Sequence, residues 1–230
     1  MMTTLTAHSG SENTQPNSME YLKVACNENA YYVEIDVRHT KDGFLVLNHD
    51  DAYENILLSE SNWCDIKDMY NLLSFEEAVN FIISRGNKVN ADIKTIESIP
   101  KVADYLLSNK IVSEVLLTGC RDKEIKYLYH HYPMLNKIYN VDELFEDISL
   151  TEENKRQKIM KNITLYGASG INIPYRALTE ERYLWTKENK ISIFVWTVDE
   201  REEMIKNFER EVTSITTNCL KLFHEVKRSE

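Results

Sequence analysis

Short apolar runs that read as strands alternate with longer stretches whose apolar residues recur at helical spacing, and they do so eight times along the chain. This alternation limits the fold more than any other feature, because parallel strands joined by helices pack in only a few ways. Strands are expected over residues 3–8, 32–38, 88–94, 113–118, 134–139, 170–173, 192–197 and 212–216. Helices are expected from Asn17 or Ser18 to about Glu28, after the cap Ser74, and over 96–108, 121–131, 141–161 (in one piece or two), 179–189, 199–209 and 219–227. Asn29 suits the left-handed position that ends the first helix, and Glu76 and Glu77 suit the positive N-terminal end of the helix after Ser74. Residues 50–73 form the least regular stretch. An open doubly wound sheet shares the alternation, but the count and the 230-residue length favour a closed (β/α)8 TIM barrel. No repeat, low-complexity stretch or linker divides the chain, so residues 1–230 are expected to form a single domain.

The second strand, Tyr32-Val33-Glu34-Ile35-Asp36-Val37-Arg38, has an unusual composition. Residues two apart on a strand point the same way, so Glu34 and Asp36 share one face and Val33, Ile35 and Val37 share the other. Two carboxylates on an otherwise apolar strand are costly to bury unpaired. A hard cation with oxygen ligands, a salt bridge to Arg38 or Lys94, or simple exposure to solvent would each relieve that cost. Lys41-Asp42-Gly43 reads as a turn and residues 44–47 as a short returning strand, which brings His49 back towards the acids.

In a barrel of this kind the functional groups sit at the carboxyl ends of the strands. Strand one ends at His8, and strand two carries Glu34 and Asp36 with His49 in its loop. Strand three ends in Asn90-Ala91-Asp92-Ile93-Lys94, strand seven in Trp196-Thr197 and strand eight in Thr216-Thr217-Asn218. Two histidines, three carboxylates and a lysine therefore converge on one rim. With 27 basic and 37 acidic residues the net charge is −10, which argues against a nucleic-acid partner. An anionic substrate would need a local positive centre, and a bound metal supplies one.

Cys26, Cys64, Cys120 and Cys219 are scattered without metal-ligand spacing and read as reduced thiols. With no secretory signal or apolar span visible, the expected location is the cytoplasm, without a stable membrane anchor.

These residues resemble the glycerophosphodiester phosphodiesterase family, metal-dependent hydrolases within the phosphatidylinositol-phospholipase-C-like group. The family's opening His-Arg-Gly appears as His8-Ser9-Gly10, and its Pro-Glu-Asn-Thr helix start as Gln15-Pro16-Asn17-Ser18. Its Glu-x-Asp strand, Thr-Lys-Asp-Gly turn and His-Asp pair match Glu34 and Asp36, Thr40 to Gly43, and His49-Asp50. Its Glu-x-Lys appears as Asp92-x-Lys94 and its Trp-Thr-Val as Trp196-Thr197-Val198; residues 214–218 resemble its closing strand. The resemblance runs from about His8 to Leu222. It implies that Glu34, Asp36 and Asp92 bind one divalent cation, Mg2+ or Ca2+, and that His8 and His49 are the general acid and base. It further implies that Lys94 and the metal hold the phosphodiester, with Ser9 at the family's arginine position and Trp196 as a wall of the pocket. The implied substrate is a small glycerophosphodiester, cleaved to sn-glycerol 3-phosphate and an alcohol.

Two departures stand out. Ser9 removes a guanidinium that could clamp phosphate bidentately, and Asp92 is one methylene shorter than the family glutamate. Related readings remain open: a phosphodiesterase for another headgroup or with a cyclic-phosphate product, or a barrel that binds phosphodiesters without turnover. Structural roles compete as well. Lys94 could pair with Glu34, Trp196 could be core packing, Asn17 could fix the loop after strand one, and His130-His131 could be surface residues.

Overall fold

The computed structural model describes residues 3–229, and in it eight parallel strands close into a ring. In chain order they are β1 (Thr4–Ala7), β2 (Tyr32–His39), β3 (Lys88–Ile93), β4 (Val115–Cys120), β5 (Lys137–Asn140), β6 (Ile171–Pro174), β7 (Ile193–Trp196) and β8 (Ser214–Thr217). Each pairs with its sequence neighbour, and β1 also pairs with β8, Thr4 opposite Ser214 and Ala7 opposite Thr217. The outer layer holds α1 (Met19–Asn27), α2 (Phe75–Ser84), α3 (Ile99–Ser108), α4 (Asp122–His131), α5 (Glu152–Thr164), α6 (Glu180–Glu188), α7 (Arg201–Glu209) and α8 (Leu220–Ser229). This is the (β/α)8 barrel that the alternation predicts.

The two faces of each strand do different work. Val33, Ile35 and Val37 are fully buried and join the main core, which lies between the strands and the helices and runs from Leu5 to Val226. Helix α2 adds Phe75, Ala78, Val79 and Ile82 to it. Residues pointing the other way fill the barrel. At its amino-terminal end Leu116, Ile138 and Phe194 form a separate apolar cluster against Tyr32. Beyond that plug the inward positions turn polar, and the mouth of the barrel opens.

Local chemistry explains the boundaries. Ser18 accepts the amide hydrogen of Tyr21 at 3.1 Å and starts α1, and Asn29 follows that helix with a φ of 53°. Ser74 and Glu77 form a reciprocal capping box on α2. Strand β5 starts at Lys137 and reaches Asn140, later than the 134–139 expected: Met134 is an exposed residue of the turn after α4. Strand β4 likewise follows a 3-10 turn at Val112–Glu114 and extends to Cys120. The 141–161 region is two helices, Asp142–Glu146 and α5, separated by a loop in which Ser149 donates to Asp147. The irregular 50–73 stretch contains a hairpin (Ala52–Tyr53 with Ile56–Leu57) and the short helix Trp63–Ile66. Its small core, Val46, Leu58 and Ile66, is distinct from the main one. The segment Leu45–Leu47 returns antiparallel to the end of β2, with Leu47 opposite Val37. Among the described residues no helix is long and apolar enough to cross a membrane.

Tyr21 ties the first two strands together. Its hydroxyl lies 2.8 Å from the carbonyl oxygens of both Ala7 and Glu34, and the side chain is fully buried. Burial and the nearby Glu34 and Asp36 push its phenol well above the ordinary range, so it remains a neutral donor. Tyr21→Phe removes the one hydroxyl shared by these two buried carbonyls and is expected to cost about 1–3 kcal/mol, read as a lower urea midpoint with an unchanged m-value.

Candidate active site

Register brings the acids together. In the β2–β3 pairing Glu34 sits opposite Asn90 and Asp36 opposite Asp92, so the inward carboxylates form a cluster across two strands. One oxygen from each of Glu34, Asp36 and Asp92 lies within 4.8 Å of the others. Glu34 is 6 % exposed and Asp36 4 %. Lys94, the next inward residue after Asp92, donates to Asp36 Oδ1 at 2.8 Å and to Asp92 Oδ2 at 2.5 Å. It pairs with these two aspartates, and among the described residues Glu34 has no salt-bridge partner.

The loop after β1 completes the cradle. The backbone N–H of Ser9 donates to Glu34 Oε2 at 2.8 Å. Asn17 donates its amide to Asp36 Oδ2 at 2.8 Å and accepts the Asp36 backbone N–H at 3.0 Å. Asn17 thus holds a carboxylate of the cluster directly as well as fixing the loop. The Ser9 hydroxyl turns away and accepts the Asn17 N–H at 2.9 Å, so this side chain closes the loop and does not line the cavity. Gly119 makes room on the far side of the cluster. It has a φ of +69°, and a Cβ there would fall 2.4 Å from Asp92 Oδ1.

Burial, together with the Asp36 and Asp92 charges, raises the Glu34 carboxyl well above the ordinary range. Burial alone would raise Asp36 too, but Lys94 and the Asn17 amide bring it below its usual value. Burial would lower Lys94, and the flanking Asp92 and Asp36 carboxylates overcome that and raise it. Three carboxylates with one ammonium leave a deficit of positive charge. The donor set is all oxygen, which suits a hard divalent cation.

Both histidines line the same cavity as this cluster. His8 follows β1, and its Nδ1 lies 2.9 Å from Asn218 Oδ1. Asp199 accepts both the Asn218 backbone N–H (2.7 Å) and its side-chain Nδ2 (2.8 Å). That commits the Asn218 nitrogen and turns its oxygen to His8, so Nδ1 carries a hydrogen and in the neutral ring the lone pair falls on Nε2. His49 is 67 % exposed at its side chain, with Nδ1 2.9 Å from Asp50 Oδ1. The Nε of Arg38 donates to the His49 carbonyl at 2.9 Å and anchors its loop.

A cavity of about 370 Å³ joins these groups. His8, His49, Glu34, Asp36, Asp92, Lys94 and Trp196 all line it. Trp196 also borders a second cavity, beside Tyr175 and Glu200, and its indole N–H is buried without a partner among the described residues. His130 and His131 are exposed on α4, away from this site. The cavity also holds polar residues to which the sequence reading assigns no role, among them Asn140, Asn172, Arg121, Asp142 and Thr118. Arg121 pairs with Asp142 at 2.7 Å and approaches Glu143 at 3.0 Å without hydrogen-bond alignment. Their signal is position: Thr118, Asn140 and Asn172 are polar residues near the ends of or within the strands, Arg121 directly follows β4, and Asp142 lies two residues beyond β5.

The glycerophosphoryl diester phosphodiesterase family model matches residues 8–222. The chain is 27% identical to a glycerophosphodiester phosphodiesterase of Caldanaerobacter subterraneus subsp. tengcongensis over 95% of both proteins. Among solved structures it is similar to a glycerophosphodiester phosphodiesterase from Parabacteroides distasonis, with a TM-score of 0.81 and 20% identity over 99% of this chain and 97% of the other. It is also similar to an Oleispira antarctica phosphodiesterase solved with the product sn-glycerol-3-phosphate, with a TM-score of 0.80 and 16% identity over 98% and 96% of the two chains.

The opposite shifts of Glu34 and Asp36 have opposite consequences. Glu34 holds its proton more tightly folded than unfolded, so in metal-free protein its ionisation opposes folding increasingly as the pH rises above 4.5 towards its raised value. Asp36 contributes stability above 3.8 that is lost as the pH falls through its lowered value. Glu34→Gln removes the first effect and leaves the Asp36–Lys94 pairing in place. In chelator its melting temperature is expected to exceed that of the wild type by a few degrees near pH ~8 and to match it near pH ~4. Equal melting at both pH values would show that Glu34 bears no such strain.

Proposed function

The chain belongs to the glycerophosphoryl diester phosphodiesterase family, and from that premise we propose that it hydrolyses glycerophosphodiesters to sn-glycerol 3-phosphate and an alcohol. The observation that carries this reading is the single cavity in which the two histidines, the three carboxylates and Lys94 meet. Residues 1–230 are taken as one catalytic domain, in keeping with a family match over 8–222.

In this reading Glu34, Asp36 and Asp92 hold one divalent cation, Mg2+ or Ca2+, with Asn17 and the Ser9 N–H orienting the first two. When bound, such an ion supplies Lewis-acid stabilisation of charge on the phosphoryl oxygens. Lys94 adds a second positive charge and exchanges part of its pairing with Asp36 and Asp92 for a phosphate oxygen. His8, with its free Nε2, takes the proton from the attacking water. The water oxygen then bonds to phosphorus as the bond to the headgroup oxygen breaks. His49, oriented by Asp50, gives its proton to the departing alcohol. The two rings differ in their partners: a neutral amide faces Nδ1 of His8, whereas the Asp50 carboxylate faces Nδ1 of His49. Trp196 stands between the cavity and its neighbour and walls the alcohol side. The four cysteines, unpaired in the fold, support a reducing compartment such as the cytoplasm.

The test is turnover of a panel of glycerophosphodiesters by purified protein with Mg2+, Ca2+ or chelator. Activity is expected only with metal, and His8→Ala and His49→Ala should each lower kcat by about 10²–10⁴-fold. Folded, metal-loaded protein that releases no alcohol from any member of the panel would overturn the reading.

A further inference from the structure

We infer that Asn140 and Asn172 form a subsite for the vicinal hydroxyl pair of the glycerol moiety, an inference that rests on the phosphodiesterase reading above. The two residues are register partners at the end of β5 and within β6, across the barrel from the carboxylates of β2. Both line the cavity. The orientation of Asn140 follows from its partners. Its side-chain oxygen accepts the Gly119 backbone N–H at 3.0 Å, a donor that cannot be reversed, and the Asn172 Nδ2 at 3.3 Å. The Asn140 oxygen is therefore satisfied, and its Nδ2 has no partner among the described residues. Asn172, having turned its nitrogen to Asn140, is left with its Oδ1 free in the same way.

The wall thus presents a neutral N–H donor beside a neutral carbonyl acceptor on adjacent strands, which lie about 4.8 Å apart. Two neighbouring hydroxyls complement that pair, one accepting from Asn140 and the other donating to Asn172. The phosphate does not, because the Asn172 oxygen would face its negative charge. An ammonium headgroup does not, because the Asn140 N–H would face its positive charge. Depth decides which part of the substrate lies here. Asn140 is 8 % exposed, in the polar layer above the plug of Leu116, Ile138 and Phe194, so this end of the cavity is closed. The small glycerol end fits it, and the bulkier and more variable alcohol is left to the open mouth and Trp196.

The experiment compares affinity for sn-glycerol 3-phosphate and n-propyl phosphate by calorimetry in Mg2+, with the ratio of kcat/KM for glycerophosphocholine over propylphosphocholine measured in parallel. The wild type is expected to favour the diol by about tenfold or more, because a site built to hydrogen-bond a hydroxyl rejects a ligand that leaves its polar groups unpaired. In Asn172→Leu, and in the smaller Asn172→Ala, that ratio falls towards one. A wild type that binds both phosphates equally overturns the subsite whatever the variants do. So does a preference that survives in both folded variants. A diol preference in binding without turnover of any diester would uphold the subsite and overturn the catalytic reading instead.

Discussion

Mutual repulsion among Glu34, Asp36 and Asp92 is the constraint around which the rest of the site is arranged. Like charges gathered in a poorly solvated place are costly, and the fold meets that cost with fixed donors. Lys94 serves two of the acids, Asn17 grips one of them, and a backbone N–H is aimed at the third. The loop after β1 has its shape for this purpose: the Ser9 hydroxyl holds the Asn17 N–H, and Asn17 in turn holds both the side chain and the main chain of Asp36. Gly119 serves the same end by leaving a gap where any side chain would strike Asp92. Charge is concentrated at one spot and the scaffold around it is built to keep it there, an arrangement that favours ligands carrying compensating positive charge.

The two histidines divide along similar lines. One is half-buried at the end of β1 and backed by an amide that is itself clamped by Asp199. The other stands out in solvent on a loop, with a carboxylate neighbour and an arginine beneath its backbone. Their residue type is identical, and their difference lies wholly in what each ring nitrogen faces.

Much of this was legible before any coordinates. The β-branched residues of β2 force Glu34 and Asp36 onto a shared face, so the acid pair and its strand can be read directly from the alternation. Asp92 and Lys94 follow by the same logic on β3. Other features were not legible, for reasons that can be named. Met134 and Leu135 imitate the start of a strand, which displaced β5 and left Asn140 just beyond its expected end. The direction of the Ser9 side chain depends on how the loop closes onto Asn17, which no periodicity records. Lys94 had three acids within reach, and only register shows that it serves the aspartates.

The pairing of β1 with β8 has a kinetic meaning. His8 and Asn218 are separated by 210 positions in the chain, and they meet only when the ring is sealed by the contacts of Thr4 to Ala7 with Ser214 to Thr217. Closing so long a loop is entropically slow and comes with the most non-local contacts of the fold. A chain that had formed every other strand pair would hold its carboxylate cluster, since β2 and β3 are neighbours, yet its deeper histidine would lack the group that sets its tautomer. The His8–Asn218 contact is therefore a property of the closed ring alone, and a nascent or partly opened barrel lacks it.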